Sequence, residues 1–87
     1  MNLSKDIEEK ISSDFPKDIE LIKSLLSEID TQENERVMRG ILYLANGDFE
    51  IFDRYYKMAK IDYRDLIMNS EYEYPSHKRV RDFSKSL

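Results

Sequence analysis

The stretch YLANGDFEIFDRYY, residues 43–56, decides how this chain is read, because it sets one of only two glycines between two apolar segments. Gly47 beside Asp48 suits either chemistry or punctuation. A calcium loop needs acidic ligands at alternate positions, a central Gly and a closing Glu. Leu44 stands where such a ligand belongs, and Phe49 and Ile51 interrupt the positions that follow. A phosphate loop needs several glycines and a Lys followed by Ser or Thr, and the stretch has neither. A helix stop followed by a helix start needs only what is already there. Gly47 can close one helix in the left-handed conformation without a Cβ penalty. Asp48 can then accept a hydrogen bond from the free N–H groups of the next helix, whose positive end its charge suits.

On both sides of this turn the apolar spacing is helical. Val37, Met38, Ile41, Leu42, Leu44 and Ala45 give the preceding helix a wide apolar face, as expected for the most buried member of a small bundle. The following helix carries Phe49, Ile51, Phe52, Tyr55, Tyr56, Met58 and Ala59. Upstream, Leu3, Ile7 and Ile11 predict a first helix over about 3–13. Pro16 is expected to open a second helix, capped by Asp14 or Phe15, with Ile19, Ile22, Leu25, Leu26 and Ile29 as its stripe. Thr31 is the expected N-cap of the third helix, with Asn34 where a complete capping box would place Glu or Gln. Asp62 is expected to cap a short fifth helix, YRDLIMNS, with Leu66 and Ile67 facing inward. Pro75 disfavours helix at Tyr74, so EYEYP reads as extended. Val80, Phe83 and Leu87 have the spacing of one more short helix.

Eighty-seven residues make one domain. A chain of this size buries roughly 60–65% of the surface its unfolded form exposes, enough for one modest core. There is no cysteine, so there is neither a disulfide framework nor a thiolate metal site. The opening MNLSKDIEEK lacks the apolar core of a secretory signal. The longest apolar run, Ile41 to Ala45, is far shorter than the ~20 residues that span a bilayer. These features give the expectation of a soluble, cytoplasmic protein. Only two glycines and two prolines, with 37% charged residues, favour helices. The expected fold is all-α: a single domain of about five short helices over residues 1–75, followed by a basic tail over 76–87 that could form a short helix.

Charge is unevenly placed. Residues 1–33 carry four Lys against nine acids, residues 34–75 carry six basic against eight acidic groups, and residues 76–87 carry four basic groups against Asp82 alone. Phosphate recognition needs a broad positive face, so an acidic front half argues against a nucleic-acid-binding body. HKRVRDFSKS alone could contact an acidic surface or a nucleic acid, set against the plainer reading of a solvated terminus.

The run GILYLANGDFEIFDRYYKMAK, within residues 36–60, resembles one tetratricopeptide repeat, the two-helix unit whose turn often reads Gly-Asp followed by an aromatic. The resemblance rests on Gly40 and Tyr43, on Gly47-Asp48-Phe49 at the turn, and on Tyr56 and Ala59. Three positions depart from it: Arg36 where the family prefers Trp, Arg39 where it prefers Leu, and Phe52 where it prefers a small residue. The closing Pro is also missing. A lone repeat cannot bury its own face, so the resemblance implies a repeat-like antiparallel hairpin inside a bundle. Gly40 points the same way without it. A mid-helix Gly costs ~1 kcal/mol relative to Ala, which a close helix crossing explains. The fourth helix is the expected neighbour.

Candidate chemistry is sparse. His77 is the lone histidine, and with Glu71 and Glu73 upstream it forms a weak metal-ligand set, against the plainer reading of an exposed side chain near the tail. The 18 acids include no pair that stands apart from a cap or a solvated face. With no Gly-rich loop either, the expectation is no enzyme activity, no cofactor and no metal. The aromatics are less ordinary, since Phe49, Phe52, Tyr55, Tyr56 and Tyr63 fall within 15 residues, with Tyr72 and Tyr74 following. Their two stripes exceed what one neighbouring helix covers. Phe52, Tyr55, Tyr56, Tyr63 and Tyr72 are therefore the candidate partner-binding residues, offering apolar area with a polar end. A small protein-interaction or regulatory module is the expectation, its partner a protein, either a different chain or a second copy in a homodimer. The competing reading is an acidic inhibitor of the immunity or antitoxin type, whose front-half acids would cover a basic site on its target.

Overall fold

Asn46 and Gly47 both take positive φ, 46° and 83°, so the helix before them stops within two residues. Asp48 returns to extended backbone and its carboxylate accepts from Ile51 N–H at 3.2 Å, which starts the next helix. This tight turn lays α3 (Asn34–Ala45) against α4 (Phe49–Ile61) as a helical hairpin. The computed structural model describes residues 3–31, 33–73 and 78–85. In chain order the hairpin is preceded by α1 (Lys5–Asp14) and α2 (Ile19–Ser27) and followed by α5 (Tyr63–Glu71). A two-residue antiparallel ladder, β1 (Tyr72–Glu73) with β2 (Lys78–Arg79), follows α5 and pairs Tyr72 with Arg79. Among the described residues the architecture is an all-α bundle of five helices, and so short a ladder does not change its class.

α3 is the central helix. It is buried without a break from Val37 to Leu42 and again at Ala45, and it packs on α1, α4 and α5. Ile7 and Ile11 from α1, Ile22 and Leu26 from α2, and Leu66 from α5 close the core around it. α4 contributes Phe52, which is 0% exposed and meets Phe15 edge-on at 5.8 Å and Tyr56 in a stacked pair at 6.0 Å. Such aromatic pairs add about 0.5–1.5 kcal/mol beyond the area they bury.

Several local expectations change. α2 begins at Ile19 and not at Pro16, because Asp18 N–H closes a turn on the Phe15 carbonyl at 3.0 Å and Asp18 itself is not helical. Asn34 does serve the third helix's start. Its side-chain oxygen reaches back to Thr31 N–H at 2.6 Å, while Thr31 Oγ1 accepts from Glu33 N–H at 3.1 Å. The N-cap position falls at Glu33 and not at Thr31, and no side chain caps it, so these two bonds brace the turn before the helix and do not form the capping box, whose Thr arm would reach Asn34 N–H. The helix that crosses Gly40 is α5, not α4. A Cβ built on Gly40 would stand 2.7 Å from Ser70 Oγ and 2.8 Å from Leu66 Cδ1. Asp62 caps α5 as expected, accepting from Arg64 N–H at 3.0 Å.

No helix forms over residues 80–85. The N–H groups of Val80 and Arg81 both go to the Glu71 carbonyl, at 2.7 and 3.2 Å, which continues the β1–β2 pairing, and residues 82–85 close a turn in which Lys85 N–H donates to the Asp82 carbonyl at 3.4 Å. Phe83 is buried against the bundle, while Leu87 and Tyr74 lie outside the described residues. No helix among the described residues is long and apolar enough to cross a membrane.

Candidate functional site

The five aromatic residues expected on one face divide between the core and the surface. Phe52 and Tyr56 belong to the core, so neither presents a binding surface. Their shared stripe is the one that α4 turns inward. The Tyr56 hydroxyl reaches the edge of the core and donates to Glu28 Oε2 at 2.8 Å. Burial, reinforced by that carboxylate, pushes the Tyr56 phenol up to about 12. Tyr55 is half-buried against the core.

Tyr63 and Tyr72 do come together. With Ile67, Met68, Arg36 and Arg64 they line an open cleft of about 300 Å³ along α5. Helical spacing explains the set: Tyr63, Ile67 and Met68 fall at positions i, i+4 and i+5 of α5. Tyr63 and Arg64 also border a second, more polar cleft of about 640 Å³, whose other walls include Asp30, Thr31, Lys60 and Ile61. Ile61 is 88% exposed and Met68 44%. An isoleucine left in water at the α4–α5 junction stands apart from the chain's other isoleucines, all of which are buried or partly buried. Sequence reasoning missed Ile61 because it falls outside both aromatic stripes. Its signal was an apolar residue at a helix end whose stripe partner, Lys57, is charged.

A second cluster is polar. Glu71, at the end of α5, is 0% exposed and accepts from Arg36 Nε at 2.6 Å and Arg36 Nη2 at 2.7 Å. The same carboxylate accepts from Phe83 N–H at 3.2 Å. One turn along α3, Arg39 donates to both carboxylate oxygens of Asp6 in α1, at 2.8 and 3.2 Å, and to Glu35 Oε2 at 3.1 Å. Its third nitrogen donates to the Phe83 carbonyl at 3.0 Å. Hydrogen bonding to Glu71 raises the Arg36 guanidinium above its ordinary value, and bonding to Asp6 does the same for Arg39. These two arginines are two of the three positions that depart from the repeat pattern.

The arrangement offers no metal centre among the described residues: no group of three His, Cys, Asp or Glu side chains converges there. His77 lies outside the described residues. On the front helices, Lys10 pairs with Asp14 at 2.9 Å and Lys23 with Glu8 at 3.8 Å, so bases and acids are interspersed. Set against models of known protein families, against curated proteins and against solved structures, the chain matches none.

Proposed function

We propose that this chain is a small protein-interaction or regulatory module that docks a protein partner through the α5 cleft. The observation that carries the reading is the cleft itself, where Tyr63, Ile67, Met68 and Tyr72 gather among Glu33, Arg36 and Arg64, next to the second cleft that the exposed Ile61 and Tyr63 line. Tyr and Met are favoured where a surface must offer apolar area with a polar or adaptable end. The repeat-like α3–α4 hairpin belongs to the same proposal, as the scaffold that holds α5 in place. An acidic inhibitor draws less support, because Lys10 and Lys23 interrupt the continuous negative face it would need.

Photo-crosslinking tests the reading. A crosslinking residue placed at Met68 or Ile61 should capture a discrete protein adduct from native lysate. The same residue placed at Glu20, on the exposed face of α2, should not. Identical adduct patterns from all three positions would sink the proposal, and light scattering of the pure chain separates a second copy from a different partner.

A further inference from the structure

The α5 cleft and the cleft beside Ile61 share Tyr63 and Arg64, so the two run together as one groove along α5. One wall is α5 with the end of α4. The other holds Asp30 and Thr31 at one end, and Glu33 and Arg36 at the other. On the α5 wall Tyr63 and Ile67 form one i, i+4 row, and Arg64 and Met68 the next. Rows of this kind are the ridges between which a second helix packs. The nine residues of α5 extend about 13 Å, which a helix of about three turns spans.

Charge decides what such a helix carries. Six charged side chains border the groove, and two of them are neutralised within the chain by a third and by a buried acid. Arg36 is held by Glu71, and Arg64 pairs with Asp62 at 3.2 Å. Lys60 leans over the Tyr56 ring, 5.4 Å from its centre. Asp30 and Glu33 are exposed, and among the described residues nothing bonds either carboxylate. With the two pairs cancelled, two carboxylates stand against one ammonium, and the surplus is negative. An acidic partner would have to draw Arg36 from a buried carboxylate or Arg64 from Asp62. A basic one finds Asp30 and Glu33 uncommitted. The chain's net charge of −4 acts in the same direction, since it attracts cationic segments before contact. Between the charges, Met68 and Ile61 stand exposed, and a thioether adapts to large apolar side chains of varied shape.

We infer that this groove takes a basic amphipathic helix of a partner protein, with its apolar face on Tyr63, Ile67, Met68 and Ile61 and its Lys or Arg side chains toward Asp30 and Glu33. This partner chemistry rests on the docking role proposed above and narrows it.

A fluorescent Leu–Lys peptide with the apolar spacing of an amphipathic helix is the probe, read by anisotropy against the full-length chain. Its companions carry Glu in place of every Lys, or the same Leu and Lys content scrambled so that no apolar face forms. The patterned Lys peptide should bind and the other two should not. Asp30→Asn with Glu33→Gln should weaken that binding roughly fivefold. Glu9→Gln with Glu20→Gln, an equal change of charge on α1 and α2, should leave it unchanged. Met68→Asp should abolish it. All five positions are exposed, so circular dichroism of these variants should match wild type. Equal binding of the Lys and Glu peptides, or equal losses from the two charge pairs, overturns the assignment. So does a dimer of the pure chain that Met68→Asp abolishes, which would give the groove to a second copy. Crosslinking at Met68 and Ile61 separates this proposal from the one beneath it. A protein adduct that the Lys peptide fails to compete away overturns the basic helix and leaves the docking role standing. Identical adducts at Met68, Ile61 and Glu20 remove the docking role, and the basic helix falls with it.

Discussion

Arg36 and Glu71 stand 35 residues apart in the chain and meet through two parallel hydrogen bonds, with the carboxylate wholly shielded from water. The pair ties the first turn of α3 to the last turn of α5 and gives residues 78–85 something to dock on. A buried pair of this kind is worth little against an apolar replacement but is costly to break, because the survivor is left buried and uncompensated.

Glu71→Ala should therefore destabilise the chain by about 3–5 kcal/mol. Arg36→Met combined with Glu71→Leu should recover most of that loss, since neither charge remains. Urea unfolding of the three chains, followed by circular dichroism, checks both statements. A double variant no better than Glu71→Ala would mean that the contacts with Phe83, and not the ion pair, carry the energy.

The contrast between the turn and this pair explains what the residues could reveal by themselves. Gly47 and Asp48 act on their immediate neighbours, so their roles were legible from type and spacing; the same holds for Asp62 and for the apolar stripes of α3 and α4. Arg36 and Arg39 look like solvated charges on an amphipathic helix, and only Asp6 and Glu71, 33 and 35 positions away, show otherwise. The spacing of Phe83 with Val80 and Leu87 predicts a helix that does not form over residues 80–85. The backbone partners of Phe83 are the side chains of Arg39 and Glu71, which no local pattern encodes. For the candidate site, Tyr63 and Tyr72 were legible and Ile61 was not, while Phe52 and Tyr56 had the composition of a binding face and the burial of a core. Composition cannot separate these, because both environments select aromatics.

Gly40 makes a sharper test of packing than any core residue. An alanine there gains helix propensity of ~1 kcal/mol but places a methyl within 2.8 Å of Ser70 Oγ and Leu66 Cδ1. Overpacking of that kind costs roughly 1–3 kcal/mol, so Gly40→Ala should lose about 1 kcal/mol net. Gly40→Leu should unfold the domain. Adding Ser70→Ala removes the nearest clashing atom but leaves Leu66 Cδ1 at 2.8 Å, so it should restore only part of the loss in Gly40→Ala. Thermal melts of the single and double variants read this directly, and an unchanged melting temperature for Gly40→Leu would refute the crossing.

At the α3–α4 turn, Asp48→Ala removes the acceptor for Ile51 N–H and should cost about 1 kcal/mol. Gly47→Ala should cost a similar amount for a different reason: its φ of 83° strains any residue with a Cβ, although the nearest atom, the Asp14 carbonyl oxygen, is 3.6 Å away and leaves room. Gly47→Asn tolerates the left-handed conformation better, so it should be the milder of the two Gly47 changes. Equal losses for Ala and Asn at this position would point to space and not to backbone conformation.

Tyr56 links stability to alkaline pH. Its phenol is raised from 10.0 to about 12 in the folded chain, by burial first and by the Glu28 carboxylate second. Between those values the unfolded chain releases the proton while the folded chain keeps it, so unfolding gains as pH rises. The stability attached to Tyr56 is thus complete below pH 10 and is lost progressively up to about pH 12, by on the order of 2 kcal/mol. Tyr56→Phe cannot ionise and forgoes the bond to Glu28, which should lower stability near neutrality by about 1 kcal/mol. The gap between the two chains should then narrow and reverse as pH climbs through that window, because only the wild-type chain carries this loss. Urea midpoints measured at pH 8, 10 and 11 for both chains show it. Curves that run parallel across that range would mean that the Tyr56 hydroxyl titrates in the folded chain as it does in the unfolded one.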